Sequence, residues 1–516
     1  MKTRQIGLDA IRENPEIDVL IIGGGINGVG TFRELALEGV SVVLAERNDF
    51  CSGASAASSH MLHGGIRYLE NGEFRLVREA LHERNQMLMN APHYAKPLPT
   101  TVPMFKWLSG LFNAPFKFLN LMNKPAERGA VVIKAGMTMY DLFAGRDNPM
   151  DNHEYHSREE SLKKFPQMNP EIVASATYFD AFMPSPERIC IDLLNDAEAA
   201  NDNAIALNYM PVIDGEGDRV TLQDCLSDET YEVKPKVVIN AGGPWIDFIN
   251  KAMEFPTTFI GGTKGSHLIL DNPDLLAATS GHEIFFENDD GRIVLILPYL
   301  ERVMVGTTDI RLEDPDEAVC TQDEVDYILG MVNKVFPNIP VNDEQIVFRF
   351  SGVRPLPASP DGYTGNISRD HSIRSIRSGG VLDYPVHSLI GGKWTSFRAF
   401  SAQTAKLAMS DLGKTRRIDT SDMAIGGGKN YPSSDVNRAV WLKLLSQETG
   451  LALDRVTLLF ERYGTTAEDI AHFCIVEDDA PLTHLPSYTR REVQYLAEHE
   501  KIIHIDDMLL RRSLIA

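Results

Sequence analysis

Two sets of residues near the start of the chain have the types and spacing for chemistry. Gly23-x-Gly25-x-x-Gly28, followed by Glu46, is a phosphate-cradling pattern. Its glycines permit a tight turn and let the backbone approach a pyrophosphate at the positive end of a helix. Glu46 stands where a carboxylate accepts from ribose hydroxyls. The second set is "HMLHGGIRY", residues 60–68, which packs His60, His63, Gly64, Gly65, Arg67 and Tyr68 into nine positions. It precedes a plain amphipathic helix with Phe74, Val77, Leu81 and Leu88 at helical spacing, which is scaffold. Taken alone, Arg67 reads as a surface ion pair with Glu70 or Glu73.

The elements that must position the first set are legible around it. Residues 18–22 read as a short buried strand, 26–38 as a helix and 40–45 as a second strand ending at Glu46. Strand, glycine turn, helix, strand and acid in register specify a dinucleotide site far better than the glycines alone. A nicotinamide enzyme would go on with βα repeats. This chain gives "NDFCSGASAASSHMLHGG", a run of small and hydroxyl residues that can lie flat along an extended cofactor. Ser52, Ser58 and Ser59 supply hydroxyls for its phosphates, and an extended dinucleotide held this way is typical of FAD.

Composition narrows the partners. A chain of 516 residues should hold two or three domains, and 43% hydrophobic with 24% charged residues is an ordinary globular balance. The formal charge of −22 argues against nucleic acid and obliges any anionic substrate to find a local positive pocket. Five scattered cysteines without a CxxC pair suggest reduced thiols in a cytoplasmic setting and no structural metal. No apolar leader opens the chain, and no uncharged run of about 18 apolar residues suits a membrane span.

The motif order resembles the FAD-dependent glycerol-3-phosphate dehydrogenase and oxidase family. After the glycine turn and Glu46 come "SGASAASS", "HGGIRYLE", "EFRLVREAL" and "APHY". "NAGGPWID" (240–247), "KGSHLIL" (264–270), "VGTTD" (305–309), "SGVRPL" (351–356), "SRD" (368–370) and "GGKWTSFR" (391–398) follow. The resemblance covers roughly residues 16–400. Two departures stand out: Ser59-His60 replaces the family's Thr-Lys, and an unusually long segment follows "LPTTVPMF".

The resemblance implies roles. Gly64 and Gly65 would let backbone pass close to the isoalloxazine ring, with Gly242 and Gly392 in the elements that return beneath it. Arg67, Arg369 and Lys393 match positions that hold a substrate phosphate, and Tyr68 adds a hydroxyl. A phosphorylated polyol carries about −1.5 to −2 charge, which calls for several cations. His267 and Arg354 are the groups for removing the hydroxyl proton as carbon gives hydride to flavin N5. An imidazole titrates near working pH, and a guanidinium stabilises alkoxide without being a good base. His60 is their neighbour and stands where the family has a lysine. The helix after "GGKWTSFR" should aim its N-terminus at the pyrimidine side of the flavin.

The implied fold is α/β. It has a Rossmann-type FAD-binding domain of the glutathione-reductase/D-amino-acid-oxidase kind, a strand-rich substrate domain and a C-terminal helical domain. The first two form a discontinuous unit over 16–422, with the FAD part at about 16–105, 235–247 and 345–410. Residues 423–435 read as a linker and 436–516 as the helical domain. Residues 84–126 contain no Asp or Glu, where 43 positions at the chain-wide frequency would carry about six. Within them 105–124 combines aromatic and aliphatic residues with Lys106, Lys117 and Lys124, which suits a membrane-interfacial segment; a hydrophobic flap on the domain is the other reading.

The function these expectations build is oxidation of sn-glycerol 3-phosphate to dihydroxyacetone phosphate, with electrons passed to quinone. The enzyme would be cytoplasmic or peripheral on the cytoplasmic face of the inner membrane, with a homodimer as one open oligomeric form. The alternatives are an oxidase using oxygen and a dehydrogenase of a related polyol phosphate such as erythritol phosphate. From another class comes a flavoprotein whose FAD is structural and whose helical domain binds a partner; Arg67, His267, Arg354 and Lys393 together argue against it.

Overall fold

The computed structural model describes residues 2–66, 73–107, 130–144, 149–288, 292–359, 367 and 370–516. Two sheets organise them. The first runs Ser372–Ile376, Val386–Ile390, Thr230–Asn240, Glu16–Ile22, Val42–Ala45, Ala204–Leu207, with two short strands attached at Thr230–Asn240. Its central pairings are parallel, Ile21 opposite both Leu44 and Ile239. A parallel sheet is covered on both faces, so its strands are apolar throughout. Val19, Ile21, Val42 and Leu44 face one core with Val29 and Phe32 of the helix Ile26–Leu37. Leu20, Ile22, Val43 and Ala45 face the other, with Leu8 and Ile11 of the N-terminal helix Arg4–Glu13.

The second sheet is mixed and mostly antiparallel. It runs Ile310–Arg311, Thr263–Leu270, Arg302–Gly306, Ile293–Tyr299, Glu283–Glu287, Lys96–Met104, Ala174–Phe182, Met61–Leu62. Ile346–Arg354 pairs along the free side of Thr263–Leu270, with His267 opposite Phe350. One face packs on the helix Gln322–Val335 through Leu268, Leu270, Ile296, Val305, Val325 and Val332.

Sheet membership cuts across the motif order. Ala204–Leu207, between the pieces assigned to the FAD part, extends the first sheet, whereas Lys96–Met104 and Ile346–Arg354, within those pieces, belong to the second. Motifs mark where loops meet the site; strand partners are set by long-range pairing that motifs do not encode.

The helices Asp435–Thr449, Leu453–Tyr463, Ala467–Cys474 and Arg490–His499 enclose their own core of Leu445, Leu459, Phe460, Ile470 and Leu496. The segment before them is packed tightly where a free linker was expected. A Cβ on Gly427 would lie 1.9 Å from the Tyr463 carbonyl oxygen, and one on Gly428 2.1 Å from that of Asn90. Beyond the helices, Arg512 reaches back to Asp49, both fully buried. The helical region is thereby fastened to the loop that follows Glu46.

Candidate active site

The strand Glu16–Ile22 runs into a glycine turn that no other residue could build. Gly23 has φ +110°, and a Cβ there would stand 2.6 Å from the Ala241 carbonyl oxygen. A Cβ on Gly28 would stand 2.0 Å from the Gly23 carbonyl oxygen, so this glycine lets the helix sit on the turn. The helix Ile26–Leu37 starts at Gly25 without a side-chain cap. Its first N–H, on Ile26, donates to Ser55 Oγ at 3.0 Å. Glu46 accepts from the N–H groups of Gly24 at 2.6 Å and Asn48 at 2.8 Å. Burial pushes its carboxyl above the ordinary value against the pull of these donors. Glu46 thus braces the turn as well as facing the space in front of it.

That space is a cavity of about 750 Å³ between the two sheets. Of the residues expected to bind cofactor or substrate, Gly23, Gly25, Glu46, Ser52, Ser58, Ser59, Gly242, His267, Arg354, Gly392 and Lys393 line it. Gly28, Gly64 and Gly65 are not in its wall. Gly64 has a different close neighbour from the one expected: a Cβ there would strike the Tyr140 hydroxyl at 2.1 Å. Its N–H donates to Asp180 Oδ1, which also takes Arg84 and Tyr140 in a fully buried cluster. Arg67, Tyr68 and Arg369 lie outside the described residues.

His267 sits mid-strand, 2% exposed, its ring stacked on Phe350 at 5.0 Å. Its Nε2 is hydrogen-bonded to Ser59 Oγ at 2.9 Å, and Nδ1 is buried with no hydrogen-bond partner among the described residues. Burial, reinforced by the Arg354 guanidinium, pushes its pKa down to about 3, so the ring is neutral at working pH. Arg354 lies across Gly265, where a Cβ would be 2.3 Å from its Nη2. It donates to Asp309 Oδ1 at 3.2 Å, Thr307 Oγ1 at 3.1 Å and the Thr308 carbonyl at 3.2 Å.

Lys393 is carried by the loop before the helix Phe397–Asp411. Gly392, at φ +92°, lies so close to Asn27 that a Cβ would be 2.4 Å from Nδ2. Trp394 Nε1 donates to the Ser55 carbonyl at 2.9 Å, and Thr395 Oγ1 to the His63 carbonyl at 3.2 Å. The serine run, the His-Gly-Gly turn and the Gly-Gly-Lys loop are thus tied into one wall. His60 is turned away from it. At φ +56° its ring packs on Tyr299 and Phe182, and burial pushes its pKa down to about 4.

Sequence reasoning passed over several lining residues. Ser55 was one of several serines, and His63 one of two histidines. Asn27 lies inside the glycine motif, and its Oδ1 is buried in the cavity wall with no partner among the described residues. Arg47, Trp245 and Asp316 come from three separate segments that only the fold brings together.

Residues 18–381 match the model of the FAD dependent oxidoreductase family, and residues 418–516 that of the C-terminal domain of alpha-glycerophosphate oxidase. A glycerol-3-phosphate dehydrogenase of Synechocystis is 33% identical over 98% of this chain and 90% of its own length. The chain belongs to the FAD-dependent glycerol-3-phosphate dehydrogenase family. An aerobic glycerol-3-phosphate dehydrogenase of Staphylococcus haemolyticus is 28% identical over 97% of the chain and 87% of its own length. The fold matches the structure of a glycerol-3-phosphate dehydrogenase from Bacillus halodurans complexed with FAD. The TM-score is 0.74 at 22% identity, covering 99% of this chain and 88% of that one.

FAD is the family's cofactor, and the site fits it. The helix start, where Gly25 brings no side chain, and the unpartnered Asn27 Oδ1 line the cavity beside glycines that leave room for a dinucleotide.

Proposed function

We propose that this protein oxidises sn-glycerol 3-phosphate to dihydroxyacetone phosphate and passes the electrons to a quinone. One observation carries the reading: Lys393, Arg354 and His267 line the same cavity as the dinucleotide cradle, in a chain of net charge −22. A structural flavin needs no cations beside it; a substrate with about −1.5 to −2 charge does.

Bound FAD supplies the hydride acceptor. Lys393, with Arg67, Arg369 and Tyr68, holds the phosphate. Asp309 and the Thr307 hydroxyl fix the Arg354 guanidinium, which stabilises negative charge on the substrate oxygen as its proton leaves. His267 accepts that proton, because burial keeps its ring neutral. Ser59 orients the ring through Nε2. Burial first and the Arg354 charge second hold the ring's pKa down, and the anionic substrate offsets the second of these.

Oxygen as acceptor is the second reading, supported by the match of residues 418–516 to the C-terminal domain of an oxidase. Quinone access would fit a membrane surface engaged by residues 105–124, of which only 105–107 lie within the described residues. Phe105 packs on the core of the second sheet, and Trp107 is 53% exposed. Among the described residues no helix is long and apolar enough to cross a membrane. The test is anaerobic flavin bleaching by glycerol 3-phosphate, erythritol phosphate and glycerol, followed by reoxidation with a quinone or with air. Bleaching by glycerol 3-phosphate alone and reoxidation by quinone faster than by air support the proposal; fast reoxidation by air selects the oxidase reading.

A further inference from the structure

Three residues on the cavity's Glu46 side form a contact that neither glycine motif nor substrate site requires. The Arg47 guanidinium lies over the Trp245 ring, 4.3 Å from its centroid. The same guanidinium makes a two-pronged pair with Asp316, Nη1 to Oδ2 at 3.2 Å and Nη2 to Oδ1. Trp245 Nε1 donates to Asp316 Oδ1 at 3.0 Å, closing the triangle. Arg47 follows Glu46 at the end of a first-sheet strand, and Trp245 follows the returning strand Thr230–Asn240. Asp316 belongs to the turn Pro315–Glu317, which leads from the second sheet to the helix Gln322–Val335. The triangle therefore joins two walls of the cavity, and all three residues line it.

We infer that Arg47, Trp245 and Asp316 form a clasp over the adenosine end of FAD that sets how slowly the cofactor leaves. This rests on the cofactor and not on the substrate. An isolated exposed ion pair contributes little, and both charged side chains here are partly exposed. The indole changes that balance, because it supplies a cation–π face to Arg47 and a donor to Asp316 at once. It also bears on the serine loop, since a Cβ on Gly53 would lie 3.2 Å from Trp245 Cζ3. Opening the clasp would free the Trp245 ring on one side and part the second-sheet turn from the nucleotide-binding wall. The neighbouring Glu46 locates the clasp at the ribose of the adenosine half.

The test is the rate at which the holoenzyme releases FAD, read as flavin fluorescence on dilution, together with far-UV melting of the FAD-free protein, whose Tm carries no contribution from bound cofactor. Arg47→Ala and Asp316→Ala should each speed release by about tenfold, as loss of a charged hydrogen bond softened by exposure predicts. The double variant should speed release by less than the two single effects combined, because the Arg47–Asp316 pair is lost in both. Arg47→Lys, which keeps charge but loses the planar fork, should fall between. Arg12→Ala, which breaks the comparably exposed pair with Glu229 away from the cavity, should leave release unchanged. Unchanged release in the Arg47 and Asp316 variants would overturn the clasp. So would additive effects, or melting losses that parallel the release rates and mark a merely structural pair.

Discussion

Ser59 Oγ lies 2.9 Å from His267 Nε2, while the other imidazole nitrogen is buried without a partner among the described residues. A hydroxyl from the loop after Glu46 therefore orients a ring carried by the second sheet. If His267 is the base, His267→Ala slows anaerobic flavin reduction by about 10² to 10⁴ while FAD stays bound. Stopped-flow reduction at the parental rate would show that His267 is not the base.

The pH profile gives an independent check. With the His267 pKa pushed down to about 3, the ring stays neutral from pH 5 to 8. Flavin reduction should therefore show no acid limb near the ordinary imidazole value. A limb near pH 6.5 that disappears in His267→Ala would show that the ring titrates near its ordinary value and that burial does not hold it neutral.

Two glycine substitutions separate cofactor space from backbone packing. A Cβ on Gly25 would meet only Ser55 Oγ, at 3.2 Å, so Gly25→Val should fold and lack FAD. Gly28→Ala drives a methyl group into the Gly23 carbonyl and should lower thermal stability along with flavin content. A folded Gly25→Val protein with ordinary flavin content would refute the cradle.

Phosphate recognition predicts a split between substrates. Removing one arm of a charged contact costs about 1.5–3 kcal/mol, roughly one to two decades in affinity. Lys393→Ala and Arg67→Ala should weaken glycerol 3-phosphate by that much and glycerol far less. Equal losses in steady-state kinetics would show that neither residue reads phosphate.

Buried Glu283 offers a stability test outside the cavity. It accepts from Thr100 Oγ1 at 2.8 Å, and burial pushes its pKa up to about 8. A raised folded pKa means the contribution is full below the unfolded value of about 4.5 and is lost as pH rises through 8. Glu283→Gln should therefore show a smaller fall in Tm between pH 5 and 9 than the parent. Parallel Tm curves would mean that Glu283 is already ionised.

The strand–glycine–helix–strand unit was legible because each part follows from local rules: an apolar run, glycines where Cβ atoms collide, helical spacing, and an acid at the strand end. The lining positions of Ser59, His267, Arg354 and Lys393 were reachable only through motif resemblance, since the strands of His267 and Arg354 and the loops of Ser59 and Lys393 meet across long separations. His60 was beyond reach for a local reason. Its positive φ turns the ring into the Tyr299–Phe182 cluster, and spacing does not report that turn. Nothing in residues 47, 245 and 316 taken singly announces a shared contact. The glycines at 426–428 looked like a linker because composition does not distinguish a flexible glycine from a crowded one.

The proposed function stands on direct reduction of the bound flavin by glycerol 3-phosphate. Stopped-flow mixing of anaerobic holoenzyme with sn-glycerol 3-phosphate, unlabelled or deuterated at C2, tests it. Full bleaching of the oxidised flavin is expected, slower with the deuterated compound and absent with glycerol at equal concentration. A flavin that stays oxidised under glycerol 3-phosphate would contradict it.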